Sequence, residues 1–397
     1  MSRSTRFAIG IAITATVVSG CGGGSDDAGG GAEAASSDEP IVIGASVSLT
    51  GPYASSGANV SNGYQLAVDQ INENGGVLGR QLELDLQDDQ SDAGIVSRLY
   101  TEFLGTDEVD AVLSPYGSAL SGPAAQLAER YQTPMVHSQT SSAAVFEGTE
   151  WSVMAGLGPG DEVLAQVPAF AVEAGYTDIT LVNNDLDAFS AICDGVEAAI
   201  EDAGATLVDR IEYAAATSDF SSTALRISEG APEVVVMCSA IQDSIGLTRA
   251  LDQQGFRPAV VASPTAVDPA FAESLGALAE KAVGYTQFAP ALGYEGSEEF
   301  VEGYEAEHGT VNTQAAGAYA TVQVLAAAIE EAGSTEKEAV NTALHEGTFE
   351  TILGEYSVDE NGVQTGYEPV LFQWIGGEQV IVYPSDVEGA VEPQLPY

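Results

Sequence analysis

The sequence predicts an α/β protein of two doubly wound, parallel-sheet lobes with a ligand cleft between them. Three observations predict it. From Pro40 onward, short apolar strand-like runs alternate with helical patterns. The alternation starts afresh near residue 179, so there are two β-α-β-α-β-α-β blocks rather than one. After the first twenty residues no stretch is long and apolar enough to cross a membrane.

In the first block, 41–49 reads as a strand. Val60, Tyr64, Ala67 and Ile71 then recur at spacings of four, three and four, which places them on one helix face. Asn74-Gly75-Gly76 stops that helix with residues that tolerate left-handed backbone. Leu82, Leu84 and Leu86 alternate with polar neighbours, the period of a strand with one wet face. A helix over 95–104, a buried strand over 109–114, a helix to about 131 and a strand over 134–137 follow. The second block predicts strands over 179–183, 206–213, 233–238 and 260–263, with helices over 190–203, 220–229 and 243–254 between them. Right-handed crossovers leave few topologies for such blocks. Each block fills one lobe, the chain after 283 returns to complete both, and ligands bind outside the carboxyl ends of the strands.

The N-terminus has its own logic. Arg3 and Arg6 precede an apolar run over 7–18 that is too short to span a bilayer, as in a signal peptide. The run ends in Val18-Ser19-Gly20-Cys21, which resembles the lipobox of bacterial lipoprotein precursors. That resemblance implies a signal peptide over 1–20 and lipidation of Cys21. An ordinary secretory signal with an incidental cysteine is the alternative. Residues 21–39 are rich in Gly, Ala, Ser and Asp, the composition of a flexible tether. Roughly 355 residues remain, enough for two or three domains.

Acidic residues number 59 against 11 basic ones, for a net charge of −48. Such a surface repels nucleic acid and anionic headgroups, so both are excluded as partners bound by charge. The acids are spread along the chain, as in a salt-tolerant hydrated surface screened within ~8 Å, rather than gathered at one site.

Residues 41–53 (Ile-Val-Ile-Gly-Ala-Ser-Val-Ser-Leu-Thr-Gly-Pro-Tyr) are similar to the start of type I periplasmic binding proteins, the leucine/isoleucine/valine-binding family of ABC importers. The likeness continues through Asn62-Gly63, Ile71-Asn72, Gly75-Gly76-Val77-Leu78-Gly79-Arg80, Asp88-Asp89-Gln90-Ser91-Asp92, Ile352-Leu353-Gly354 and Phe372-Gln373-Trp374. It implies that 40–155 and 287–350 form lobe 1, and 156–286 and 351–397 lobe 2. It also implies an extracytoplasmic monomer, held to the membrane only by its lipid, that passes a small solute to ABC permease subunits. No cofactor, metal or catalytic residue is expected. Lobe-1 loops of the family bind a ligand carboxylate, which points to Tyr116, Gly117, Ser118, Gln139, Thr140 and Ser141. The chemistry is sensible in its own right, since Gly117 permits close backbone approach and Ser118 opens a helix whose N-terminus favours negative charge. Ser118 as a helix cap and Thr140-Ser141 as turn residues is the plainer alternative. Ser56 falls at the family's cleft mouth and Phe189 at its lobe-2 aromatic wall, or each is an ordinary loop or core residue.

Lobe 2 departs from the family. The acid that holds a ligand ammonium is replaced by Thr265, and Ile241-Gln242 stands where an aromatic is expected. A buried ammonium without a carboxylate costs several kcal/mol. Either Asp185, Asp187 or Asp243 substitutes, or the solute is an amide, a carboxylate or another small polar compound. Cys193 and Cys238 are predicted to pair, because the first and third strands of a 2-1-3 sheet are neighbours; two buried thiols are the alternative. His137, His308 and His345 lack metal-ligand spacing. Asp85, Asp88, Asp89 and Asp92 lack an EF-hand pattern and are expected to cap the following helix. A sensory module is the second reading. A hydrolase using Ser118 and His137 is a distant third, with no third member in sight. Cys21→Ala should abolish acylation, measured as loss of lipid mass and release from the membrane fraction.

Overall fold

The computed structural model describes residues 39–397. The expected signal peptide, Cys21 and residues 21–38 of the tether lie outside the described residues. The first half builds β1 (Ile41–Val47), α1 (Ala54–Glu73), β2 (Leu82–Asp88), α2 (Ala93–Gly105), β3 (Ala111–Leu113), α3 (Ser118–Tyr131), β4 (Met135–His137) and β5 (Ser152–Met154). Next come α4 (Val167–Glu173), β6 (Asp178–Asn184), α5 (Asp187–Ala203), β7 (Thr206–Tyr213), α6 (Ser221–Gly230), β8 (Val234–Cys238), α7 (Ile241–Gln253), β9 (Val260–Ala262), α8 (Pro269–Leu275) and β10 (Val283–Thr286). The chain ends with α9 (Ser297–His308), α10 (Thr313–Ala332), α11 (Lys337–Glu346), β11 (Phe349–Thr351), β12 (Gly354–Tyr356), β13 (Val370–Ile375) and β14 (Glu378–Tyr383).

The strands form two large sheets. The first runs β2-β1-β3-β4-β5 and is parallel throughout. The second runs β14-β13-β10-β9-β8-β6-β7. It is parallel from β10 to β7, but β13 pairs antiparallel with both β10 and β14, so it is mixed rather than wholly parallel. Each sheet buries both faces, as parallel sheets must. In lobe 1, α1, α10 and α11 cover one face and α2 and α3 the other. In lobe 2, α4 and α5 cover one face while α6, α7 and α8 cover the other.

The lobes are joined by three crossings. The first leaves β5, the second leaves β10, and the third enters β13. The first lies against α10 with no side chain between them. A Cβ on Gly156 would sit 2.4 Å from the Gly317 carbonyl, and one on Gly317 equally close to that of Gly156. Only glycine at both positions allows that contact. The second crossing is tied to the first by the Gly158 N–H, which donates to Gln287 Oε1 at 3.2 Å. Gln166 Nε2 donates to the Pro369 carbonyl at 2.8 Å, fixing the third.

Two expectations change. The lobe boundary predicted at 350/351 falls later, because Ile352, Leu353, Tyr356 and Tyr367 all pack with the α1/α10 core. The β11–β12 hairpin stacks Phe349 on Tyr356 at 5.7 Å, and the chain joins the second sheet only at Val370. Of the four clustered aspartates, only Asp92 caps α2, accepting from Gly94 N and Ile95 N. Asp88 and Asp89 instead organise the loop after β1. Asp88 accepts from Leu49 N, Thr50 N and Thr50 Oγ1. Asp89, fully buried, accepts from Ser46 Oγ, Ser48 Oγ and Ser91 N. Asp85 accepts from Gln87 Nε2 on the same strand.

Cys193 on α5 and Cys238 at the end of β8 form a disulfide, with Cα atoms 5.7 Å apart. The adjacency of β6 and β8 brings α5 over β8, as the 2-1-3 order requires. Replacing both cysteines with alanine should lower the unfolding free energy by about 4 kcal/mol in the chain-entropy model for a 45-residue separation. Urea denaturation of the two proteins measures it. Intact mass with and without reductant should differ by two hydrogens.

Candidate functional site in the interlobe cleft

Both sheets direct their carboxyl ends at the crossings, because β5 and β10 leave from those ends. The loops that follow the strands therefore face one another across the cleft, and the residues there are polar.

In lobe 1, Ser114 and Ser138 directly follow β3 and β4. The Ser138 N–H donates to Ser114 Oγ at 3.1 Å, and the Tyr64 hydroxyl from α1 donates to Ser138 Oγ at 2.7 Å. Gly117 precedes α3 at φ 82°, a left-handed value that favours glycine. Its carbonyl accepts from Leu120 N and Ser121 N, while the Ser118 and Ala119 N–H groups take no partner among the described residues. Ser118 Oγ accepts from Ser142 N at 3.2 Å, and Gly160 N donates to the Ser141 carbonyl at 2.9 Å. The segments 116–118 and 139–142 are thus brought together and fastened to the first crossing. The half-buried Tyr116 ring lies 5.8 Å from Tyr53 on the rim.

Not every expected side chain faces a solute. Thr140 is fully buried, and its Oγ1 donates to Ser121 Oγ at 2.7 Å and meets His137 Nδ1 at 3.1 Å. It holds the loop, which leaves Ser141, Ser118 and backbone N–H groups for contact. Gln139 turns its amide against Gly317 of α10. Ser56 is half-buried in the first turn of α1. Phe189, in the first turn of α5, leans on the lobe-2 core. The imagined Ser118–His137 pair is not formed: the His137 ring meets Thr140 and, edge-on at 4.9 Å, Phe146.

In lobe 2, Thr265 belongs to a row of hydroxyls. Its Oγ1 lies 3.0 Å from Ser263 Oγ and 3.2 Å from Ser244 Oγ, and Ser244 Oγ lies 3.2 Å from Ser239 Oγ. A second cluster centres on Asp243, whose Oδ2 accepts from Tyr213 OH at 2.9 Å and Asn184 Nδ2 at 3.2 Å. Asn184 and Tyr213 end β6 and β7. Sequence reasoning passed over Ser239, Ser244, Ser263, Asn184 and Tyr213. For all but Ser244, which lies inside α7, the signal that finds them is position, since each stands at or just beyond the carboxyl end of a predicted strand. Asp185 is engaged elsewhere, accepting from Ala215 N at 2.7 Å. A separate groove of about 610 Å³ flanks the crossings, walled by Val267, Pro269, Phe288, Asn312, Trp374 and Glu378. None of the expected site residues lines it.

The sequence profile of the periplasmic binding protein family matches residues 40–378, most of the chain. This chain belongs to that family. The Leu/Ile/Val-binding protein BraC3 of Rhizobium johnstonii is 28% identical over 344 residues, covering 86% of this chain and 93% of that protein. Among solved structures, a putative branched-chain amino acid ABC transporter from Silicibacter pomeroyi superposes with a TM-score of 0.79 at 19% identity, covering 90% and 99% of the two chains. A solute-binding protein from Rhodopseudomonas palustris, solved with 3,4-dihydroxybenzoic acid, superposes at 0.74 with 18% identity, covering 89% and 99%. These likenesses give the family member its fold: two lobes of parallel strands with the cleft between.

Burial pushes the His137 imidazole down to about 3 from its ordinary 6.5. The folded protein keeps the ring neutral, while the unfolded chain takes up a proton below about pH 6.5. Stability that is full above 6.5 therefore falls as pH drops toward 3, by up to about 1.4 kcal/mol per pH unit. Thermal melts across that window should show a shallower decline in His137→Gln than in the unaltered protein.

Proposed function

We propose that this chain is the solute-binding component of an ABC importer. It captures a branched-chain amino acid, or a related small amide or carboxylate compound, by closing lobe 1 (40–155 with 287 to about 368) on lobe 2 (156–286 with the remainder). The family match supports solute binding and work with a permease. The observation that carries the cleft reading is the pairing of 116–118 with 139–142 at the start of α3, where Ser118, Ser141 and unpaired helix amides converge. That arrangement suits a carboxylate, since a helix N-terminus presents N–H groups and positive potential together. The cysteine at 21 supports a lipid anchor that holds the domain at the outer face of the membrane. Tyr116, Gly117 and Ser56 frame the lobe-1 side in this reading, with Gln139 and Thr140 shaping the loop; Phe189 and Thr265 frame the lobe-2 side.

Exposed apolar side chains on the two rims support closure. Leu49 and Tyr53 are each 42% exposed after β1, and Leu186 is 49% exposed after β6. Both strands are second from the outer edge of their sheets, away from the crossings. Closing the lobes brings these rims toward each other and removes apolar surface from water.

Native mass spectrometry of protein purified without refolding, followed by calorimetric titration of the retained solute, tests the reading. Ser118→Ala and Ser141→Ala should each weaken binding by about 1–3 kcal/mol through lost charge-assisted hydrogen bonds. Unchanged affinity in both would move the site elsewhere.

A further inference from the structure

The first crossing leaves β5 after Met154 and enters α4 at Val167. Each lobe grips it once through bare backbone. On the lobe-1 side the grip is the Gly156–Gly317 contact, where a Cβ on Gly156 would also meet the Ser138 carbonyl oxygen at 2.6 Å. On the lobe-2 side the Asp161 peptide lies directly against α5. A Cβ on Gly195 would sit 1.7 Å from the Asp161 carbonyl oxygen and 2.5 Å from its carbon. Gly195 stands inside α5 with no positive φ, so helix geometry does not call for glycine there. Alanine is the better helix former, and only the contact with Asp161 excludes it.

Between the two grips lie Leu157, Gly158, Pro159 and Gly160. Proline fixes its own φ, so the two glycines carry most of the freedom of this span. From Gly160 to Glu162 the chain makes one tight helical turn, closed by Val163 N donating to the Gly160 carbonyl. That turn is what rests on α5. The other crossings are tied to the first, the second through Gly158 and Gln287 and the third through Gln166 and Pro369. The seat is itself anchored: Cys193, two residues before Gly195, is joined by its disulfide to Cys238 at the end of β8.

We propose that Gly195 is a positioning residue for lobe closure. It seats the lobe-2 end of the first crossing on α5, the disulfide holds that seat to the sheet, and the swing of the lobes is thereby confined to 157–160. A side chain at 195 would have to drive the Asp161 carbonyl from 1.7 Å out to the 3.4 Å or more of an ordinary contact. The displaced turn would carry its ties to the other crossings with it, and the lobes would meet at a different angle. Affinity follows the fraction of molecules able to close, so solute binding changes although residue 195 lies on none of the cleft loops. That last consequence rests on the cleft reading above; the seat does not.

The test compares Gly195→Ala and Gly122→Ala with the unaltered protein by small-angle X-ray scattering without solute. Gly122 is the control, inside α3 with nothing within 4 Å of an added Cβ. Gly195→Ala should melt cooperatively yet shift the radius of gyration and the interlobe distances, while Gly122→Ala superimposes on the unaltered profile. In calorimetry with L-leucine, Gly195→Ala should weaken binding by about tenfold or more and Gly122→Ala by less than about twofold. A lowered melting temperature with unchanged scattering and affinity would make Gly195 a packing residue and overturn the proposal. If Gly195→Ala does not fold, the Cys193→Ala/Cys238→Ala protein decides. Its amide hydrogen exchange should speed over 157–163 more than in α2 of lobe 1, and equal changes in both would overturn the anchored seat. Unaltered protein that binds no leucine counts against the branched-chain reading alone, and scattering then settles the seat.

Discussion

Everything at the cleft depends on the chain leaving and entering both sheets at their carboxyl ends. Parallel strands joined by helices put all their ends of one kind on one edge. The crossings from β5 and β10 then turn those edges toward each other. The Gly156–Gly317 backbone contact and the Gly158–Gln287 hydrogen bond hold the crossings close to lobe 1 and to each other. A side chain at either glycine would force the first crossing off α10 and change where the lobes meet.

That geometry creates a problem of polarity, which the two lobes solve differently. The carboxyl ends carry strand carbonyls and loop N–H groups that cannot be left buried and unpaired. Lobe 1 answers with local pairs: Asp89 gathers Ser46, Ser48 and Ser91, while Tyr64 joins Ser114 to Ser138. Lobe 2 answers with a chain of hydroxyls after β8 and β9 and, separately, with a carboxylate that binds the ends of β6 and β7. Both networks sit against buried apolar cores, and their hydrogen bonds set the directions of the groups a solute meets.

Much of the fold was legible in the residues. The four-three-four spacing of Val60, Tyr64, Ala67 and Ile71 matches α1, the alternating leucines match β2, and the strand order brings Cys193 to Cys238. The boundary at 350 was misplaced because Ile352, Leu353 and Tyr356 are as apolar as the strands that follow; only packing on α10 assigns them to lobe 1. The aspartates over 85–92 read as helix caps because capping is local, whereas Asp88 and Asp89 bond across to the loop after the neighbouring β1.

By itself the sequence determined the alternation of elements, the doubling of the block, the excess of acid and the family register, since each is a matter of order and composition along the chain. Tertiary structure alone decided which polar side chains point where. Thr140 looked like a contact for solute and is turned inward to Ser121 and His137. Asp185, Asp187 and Asp243 were equivalent as letters. What separates them is that β6 and β7 end side by side beneath α7, placing the side chains of Asn184 and Tyr213 on the Asp243 carboxylate and on neither of the other two carboxylates. Hydrogen-bond partners distant in sequence are set by strand register, and register is decided only when the sheet assembles.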